Sequence, residues 1–102
     1  MIELLAVPAW DAGPTPLSAW VAGLEEQGLT VIVNRESTNV AWIEVHALRL
    51  RGYVVLDGGR DVEAINFELA APDPSSARGV VVSAAAKLGW EVHDDGDDDE
   101  ND

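Results

Sequence analysis

Alternating apolar and polar residues in the middle of the chain predict a β-hairpin. Ile65, Phe67 and Leu69 alternate with polar residues, and a period of two is typical of a strand with one buried face. Residues 50–56 also favour a strand, and the glycine-containing segment 57–61 lies between the two. Paired glycines suit tight hairpin turns. A sheet built on this hairpin is therefore the strongest structural prediction from the sequence.

The alternation changes phase upstream of the hairpin. Ile43, Val45 and Ala47 are apolar in one phase, whereas Leu48 and Leu50 are apolar in the other. A shift of one residue would move every following side chain to the opposite face of a continuous strand. The sequence therefore predicts a bulge or a short turn here, which divides the segment into two strands.

Two other segments have the spacing of amphipathic helices. The first is predicted to begin with Thr15 as its N-cap and Pro16 at the first helical position, and to end before Gly28. The second is predicted to begin within residues 72–74 and to end before Gly89. Their apolar stripes are Leu17, Trp20, Val21 and Leu24 in the first helix, and Ala77, Val80, Val81, Ala84 and Leu88 in the second.

Short apolar segments beside the helices predict three further strands, at residues 2–7, 29–33 and 90–92, with a polar loop at 34–39. The resulting order is β-α-β-β-(β)-α-β, with two helices on one face of a mostly antiparallel sheet. This order predicts an α+β fold, a two-layer sandwich with ferredoxin-like topology. The predicted organisation is a single α+β domain over residues 1–93, followed by a disordered acidic tail over residues 94–102.

The charge is strongly negative and unevenly distributed. The formal net charge is −13, and residues 94–102 contain seven acidic residues and no basic one. The preceding residues carry twelve acidic side chains against six basic ones. An acidic body repels phosphate backbones, so direct binding to nucleic acid is not predicted. The sequence has no apolar segment long enough for a membrane span and no signal-peptide pattern, so we expect a cytoplasmic protein.

The residues that usually carry chemistry do not form a recognisable motif. The chain has no cysteine and only two histidines, His46 and His93, which is too few for a zinc site at recognisable spacing. The acidic tail lacks the bidentate glutamate and exit helix of a calcium-binding hand. Gly58 and Gly59 precede a strand rather than a helix, unlike the glycines of a phosphate-binding loop. The sequence therefore predicts neither an enzyme, nor a cofactor, nor a metal.

Four tryptophans are the most distinctive feature of the composition. Trp20, Trp42 and Trp90 lie in predicted helices or strands, so we expect them to pack in the core. Trp10 lies instead in a proline-rich segment, where it either anchors a partner or folds back over the start of the first helix. The predicted partner-binding residues are Trp10 and its neighbour Asp11, together with the tail residues Asp94, Asp95, Asp97, Asp98, Asp99 and Glu100.

Three arginines are predicted to form a basic surface on this acidic body. Arg49 and Arg51 are spaced to share one face of a strand, and Arg60 lies in the neighbouring turn. Such a surface would bind acidic groups of a partner or receive the protein's own acidic tail.

These features favour a small non-catalytic interaction domain whose acidic surface binds a basic protein. Inhibitors and immunity-type proteins that block a nuclease or a toxin share this size and charge, and electrostatic attraction would speed their association. One alternative is a homodimeric ligand-sensing domain whose copies meet through an open sheet face. A further alternative is an acidic mimic of DNA.

Overall fold

The computed structural model describes residues 2–70 and 74–95. Its elements, in chain order, are β1 (Ile2–Pro8), α1 (Leu17–Glu25), β2 (Ile32–Arg35), β3 (Val40–Val45), a short 3₁₀-helix (His46–Leu48), β4 (Leu50–Asp57), β5 (Asp61–Leu69), α2 (Pro74–Leu88) and β6 (Trp90–Asp95). The 3₁₀-helix between β3 and β4 confirms the predicted interruption, and the turn between β4 and β5 confirms the predicted hairpin.

The six strands form one sheet in the order β2-β3-β4-β5-β1-β6, and every neighbouring pair is antiparallel. Helix α2 contacts α1, β1, β5 and β6, and the α1 residue Trp20 packs against Phe67 of β5 and Trp90 of β6. Both helices therefore lie on the same face of the sheet. The predicted α+β class is confirmed, and the arrangement is that of a two-layer sandwich. The other face of the sheet carries no helix among the described residues, and we call it the open face.

The predicted ferredoxin-like strand order is not matched. Strands β5 and β6, joined by α2, run parallel with β1 between them, as in a split βαβ unit. Strands β1 and β2, joined by α1, are separated by three strands rather than one. The central segment forms β3, β4 and β5, and all three of these strands lie between β2 and β1 in the sheet.

Two strand boundaries also differ from the sequence prediction. Strand β2 runs from Ile32 to Arg35, so it extends into the predicted polar loop. Its pairing with β3 continues to Arg35, which lies opposite Ala41. Strand β6 continues through Asp94 and Asp95, which pair with β1. Backbone pairing does not require apolar side chains, so these two acidic residues belong to the sheet rather than to the tail. The other predicted tail residues, 96–102, lie outside the described part of the chain.

Aromatic residues occupy the centre of the core. The ring of Trp20 lies 5.7 Å from that of Phe67 and 5.4 Å from that of Trp90, which it meets at 88°. Edge-to-face packing of this kind is favourable beyond the apolar area that it buries. The predicted burial of Trp20 and Trp90 is therefore confirmed. The largest other fully buried side chains are Leu4, Leu24, Ile43, Ile65, Leu69, Val45, Val54 and Val81.

Gly52 is a position at which the sheet leaves no space for a side chain. A Cβ atom there would lie 2.9 Å from Ile43 Cγ1 and 3.0 Å from both Ile65 Cγ2 and Phe67 Cε1. We expect Gly52→Ala to lower the free energy of unfolding by about 1–3 kcal/mol through overpacking, measured by urea denaturation. Gly13→Ala is the matched control, since nothing lies within 4 Å of its Cβ position. Equal stability of the two variants would contradict the packing that we describe.

Candidate functional site

Trp10 projects from a loop that follows β1, and 95% of its surface is exposed. The next most exposed large apolar residues in ranges 2–70 and 74–95 are Val82 at 44%, Val33 at 39% and Ile32 at 38%. The indole ring therefore does not cover the start of α1, and the fold-back alternative is wrong. A fully exposed tryptophan is unusual, because it leaves a large apolar surface in contact with water.

The loop that carries Trp10, residues 9–16, is attached to the fold at both ends. The Ala9 N–H donates to the Gly89 carbonyl at 3.2 Å, which ties the loop to the end of α2. The Val62 N–H donates to the Thr15 carbonyl at 2.8 Å, which ties it to β5. Within the loop, the Ala12 N–H donates to the Ala9 carbonyl at 2.9 Å. We call this segment the Trp10 loop. Its backbone bonds restrain it at both ends.

Thr15 contributes to this attachment instead of capping α1. Thr15 is only 7% exposed, and its hydroxyl accepts a 2.9 Å hydrogen bond from Trp90 Nε1. The N-cap of α1 is Pro16, without a side-chain hydrogen bond, so the predicted Thr15 cap is wrong. A buried indole N–H usually has an acceptor. Thr15 provides it across 75 residues of sequence, a partnership that local capping patterns do not reveal.

Thr15→Val is expected to lower the free energy of unfolding by about 1–3 kcal/mol, because the buried Trp90 N–H loses its acceptor without a change in side-chain shape. Thr15→Ser keeps the hydroxyl and is the matched control, so it should lose less stability. Thermal unfolding followed by circular dichroism measures both variants. If valine and serine destabilise the domain equally, the hydrogen bond is not the reason for the burial of Thr15.

An acidic groove lies beside the Trp10 loop. Its volume is about 390 Å³, and three acidic residues line it: Asp57, Asp61 and Glu63. Asp57 and Asp61 are paired directly across the β4–β5 hairpin, an arrangement that is unfavourable for like charges. A cation bound between them would relieve this repulsion. The remaining residues of the groove are Pro8, Ala12, Gly13, Pro14, Thr15 and Val62.

The predicted partner-binding residues do not all lie together. Trp10 and Asp11 follow the end of β1, whereas Asp94 and Asp95 pair with the residues at its beginning. Pro8, the last residue of β1, is four to five residues from Leu4 and Glu3, so the strand alone separates the two groups by roughly 13–17 Å at about 3.3 Å per residue. Asp97, Asp98, Asp99 and Glu100 lie outside the described residues. The sequence did not indicate this groove, because Asp57 and Asp61 were explained locally by the hairpin turn and Glu63 lies in the following strand.

Trp42 lies on the open face of the sheet, so the prediction that it packs in the core is wrong. Its ring meets that of Tyr53 at a centroid distance of 4.9 Å, and Arg51 Cζ lies 4.2 Å from its ring centroid. Trp42 Nε1 donates to Glu36 Oε2 at 3.3 Å. The alternation in β3 explains this position. Trp42 lies on the same side of the strand as Glu44, and the buried side carries the alternate residues Ala41, Ile43 and Val45.

The predicted basic surface is divided between two ends of the sheet. Arg49 and Arg51 lie near the start of β4, and Arg60 lies in the turn beyond its end. Arg49 and Arg51 border a cavity of about 250 Å³, which we call the arginine pocket. The strand β4 is eight residues long, so the three arginines do not form one surface. The residues that line the arginine pocket are Glu44, His46, Arg49, Leu50, Arg51, Glu68 and Ala70.

The open face has an acidic row at the end that contains the arginine pocket. Glu44, Arg51, Glu68 and Glu3 lie in register on four neighbouring strands, in that order. The row carries three acidic residues and one basic residue. Two copies stacked so that these rows meet would bring carboxylates together, which is unfavourable. This charge pattern argues against a homodimer joined through this part of the sheet.

Within residues 2–70 and 74–95, no three histidine, aspartate or glutamate side chains are grouped so that they hold a metal ion. No helix in the same ranges is long and apolar enough to cross a membrane. Comparison of the chain with protein-family models, with curated proteins and with solved structures finds no match. The interpretation of the site therefore depends on its own geometry and charge.

Proposed function

We propose that this chain is a small non-catalytic interaction domain that binds a basic protein partner through the Trp10 loop and the acidic groove. The observation that carries the proposal is the 95% exposure of Trp10 on a loop that backbone hydrogen bonds attach to the rest of the fold. Tryptophan is among the residues most enriched at interface hot spots, where its large surface becomes buried on binding.

The attachment of the loop at both ends supports the proposal. Binding loses affinity when a flexible segment must become ordered, and a preorganised loop avoids most of this loss. The bonds of Ala9 to Gly89 and of Thr15 to Val62 hold the two ends of the loop before any partner arrives. Trp10 is thus suited to insert into a pocket on the partner as a rigid anchor.

The charge around the anchor indicates the chemistry of the partner. Asp11 is adjacent to Trp10 in the chain, and Asp57, Asp61 and Glu63 line the neighbouring groove. A lysine or arginine of the partner that entered this groove would relieve the repulsion between Asp57 and Asp61. The net charge of −13 would also steer a basic protein toward the domain. A nuclease or a toxin with a basic active site fits this description, and the domain would then act as its inhibitor or immunity protein.

The test is an affinity capture from the native host with matched variants of the immobilised protein. The wild type, Trp10→Ala and Glu63→Gln are compared with two controls, Val82→Ala and Glu25→Gln. Val82 and Glu25 are also exposed, and each control makes the same kind of change away from the Trp10 loop. Proteins are eluted with increasing salt and identified by mass spectrometry.

We expect a basic protein that the wild type and both controls retain, and that Trp10→Ala and Glu63→Gln lose or release at lower salt. The captured protein is then purified and its activity measured with and without the domain. Capture that is equal for all five proteins, or only of neutral and acidic proteins, would contradict the proposal. Enhancement of the captured protein's activity, or no effect on it, would retain the interaction but contradict the inhibitory role.

A further inference from the structure

The guanidinium group of Arg51 is held in place without an ion pair. Its Cζ lies 4.2 Å from the ring centroid of Trp42, which is itself held by Tyr53 and by a hydrogen bond to Glu36. Stacking on an aromatic ring uses the face of the guanidinium and leaves its N–H edges available. Among residues 2–70 and 74–95, no carboxylate forms an ion pair with Arg51. The donors of Arg51 are therefore positioned and available in the arginine pocket.

Arg49, which lines the same pocket, has a strained backbone. Its φ of 50° is in the left-handed region, and it is the only non-glycine residue with a positive φ in the described ranges. Its N–H donates to the His46 carbonyl at 3.1 Å, and its carbonyl accepts from the Ala70 N–H at 3.2 Å. Glycine would adopt this conformation without strain. An arginine here costs stability, and strain of this kind often accompanies a function of the side chain.

Two acidic residues, Glu44 and Glu68, line the pocket together with the two arginines. Glu68 is paired in register with Arg51 on one side and with Glu3 on the other. Glu44 also lines the pocket and accepts a 3.0 Å hydrogen bond from His46. Glu68 and Glu3 are like charges directly opposite each other, which is unfavourable unless a cation lies nearby. The pocket therefore carries charges of both signs, with Arg51 flanked in register by Glu44 on one strand and by Glu68 on the other.

We propose that the arginine pocket binds a small zwitterion, a free α-amino acid. Its carboxylate would accept hydrogen bonds from Arg49 and Arg51, and its ammonium group would donate to Glu68. A simple anion would be repelled by Glu68 and Glu44, and a simple cation would be repelled by the arginines. The cavity of about 250 Å³ is smaller than pockets for drug-sized ligands, which suits a ligand with few atoms.

This site is independent of the proposed protein partner. The arginine pocket lies near the start of β4, and the acidic groove lies at its other end, around Asp57. The two sites share no lining residue. Failure of one proposal therefore leaves the other intact.

The test is a titration of the isotope-labelled protein followed by NMR, including the side-chain N–H signals of Arg49 and Arg51. The probes are L-alanine, L-glutamine and L-leucine, each taken into the millimolar range at constant ionic strength. Propionate and ethylamine are the matched controls, because they are alanine without its ammonium group and alanine without its carboxylate. We expect saturable shifts at Arg49, Arg51 and Ala70 with at least one amino acid, and no saturation with either control.

Three variants locate the binding. Arg49→Gly is expected to weaken it by about tenfold or more while the melting temperature stays level or rises, because glycine relieves the backbone strain. Glu68→Gln should weaken binding of the amino acid as well, through loss of its ammonium contact. Arg60→Gln, at the far turn, should leave the affinity unchanged.

Absence of saturable shifts with all three amino acids would overturn the proposal. Equal binding of propionate or ethylamine would also overturn it, because the pocket would then attract ions of one sign without recognising a zwitterion. Undiminished affinity of a well-folded Arg49→Gly variant would place the ligand elsewhere.

Discussion

Trp20→Ala is expected to unfold the domain or to destabilise it by about 3–5 kcal/mol, because truncation of a buried aromatic residue loses apolar burial and leaves a cavity. Trp20 is completely buried and contacts the rings of Phe67 and Trp90. It therefore joins α1 to both β5 and β6. A domain of 102 residues has a net stability of only roughly 5–15 kcal/mol, so this one substitution removes a large share of it.

Trp20→Phe is the matched control for the cavity. The Trp20 indole N–H is buried without a hydrogen-bond partner among the described residues, so phenylalanine loses ring volume but no polar contact. We expect it to be clearly more stable than Trp20→Ala in urea denaturation followed by circular dichroism. A folded Trp20→Ala variant with wild-type stability would mean that α1 does not pack on the sheet through this residue.

Trp10→Ala is expected to leave the fold unchanged and to weaken binding of the basic partner by roughly 2 kcal/mol or more, as for an interface hot spot. Its 95% exposure means that folding buries almost none of its side chain. Since loss of a rigid anchor mainly affects an assembled complex, the change should appear as faster dissociation. Surface-based or stopped-flow kinetics with the purified captured protein provide the measurement, with Val82→Ala as the control.

Removal of residues 96–102 should instead change the rate of association. A chain that ends at Asp95 keeps all of β6 and loses five acidic residues, so we expect slower association with little change in dissociation. Added salt should reduce the difference, since charges are screened over about 8–10 Å near physiological ionic strength. Salt-independent binding would contradict the electrostatic attraction, and an unaffected Trp10→Ala complex would contradict the choice of anchor.

Local patterns in the sequence predicted most of the elements. The phase change near Ala47 corresponds to the 3₁₀-helix, the glycines of the β4–β5 turn have the positive φ that tight turns require, and Gly89 follows the last residue of α2. Each of these features depends on steric preferences of a few neighbouring residues. The α+β class followed from the same patterns, because two amphipathic helices and several strands with one buried face must pack as layers.

The candidate sites were predicted less completely. The isolation of Trp10 from any apolar stripe correctly separated it from the core tryptophans Trp20 and Trp90. Its exposure depends on the tertiary structure, in which the ends of its loop bond with Gly89 and Val62. Trp42 was assigned to the core from its residue type, although its phase with Glu44 already favoured the other face of β3.

Tertiary structure alone decided which distant residues meet. The order of the strands depends on which edges pair, and local alternation is the same for each permitted order, so the three strands between β1 and β2 could not be read from the sequence. Likewise, Thr15 has the local chemistry of a helix cap. Its hydroxyl instead accepts a hydrogen bond from the buried indole of Trp90, which lies 75 residues away in the sequence. The sequence by itself determined the elements, the charge and the isolation of Trp10, since these depend on neighbours in the chain. The acidic groove and the arginine pocket depend on strands that come together only in the folded sheet.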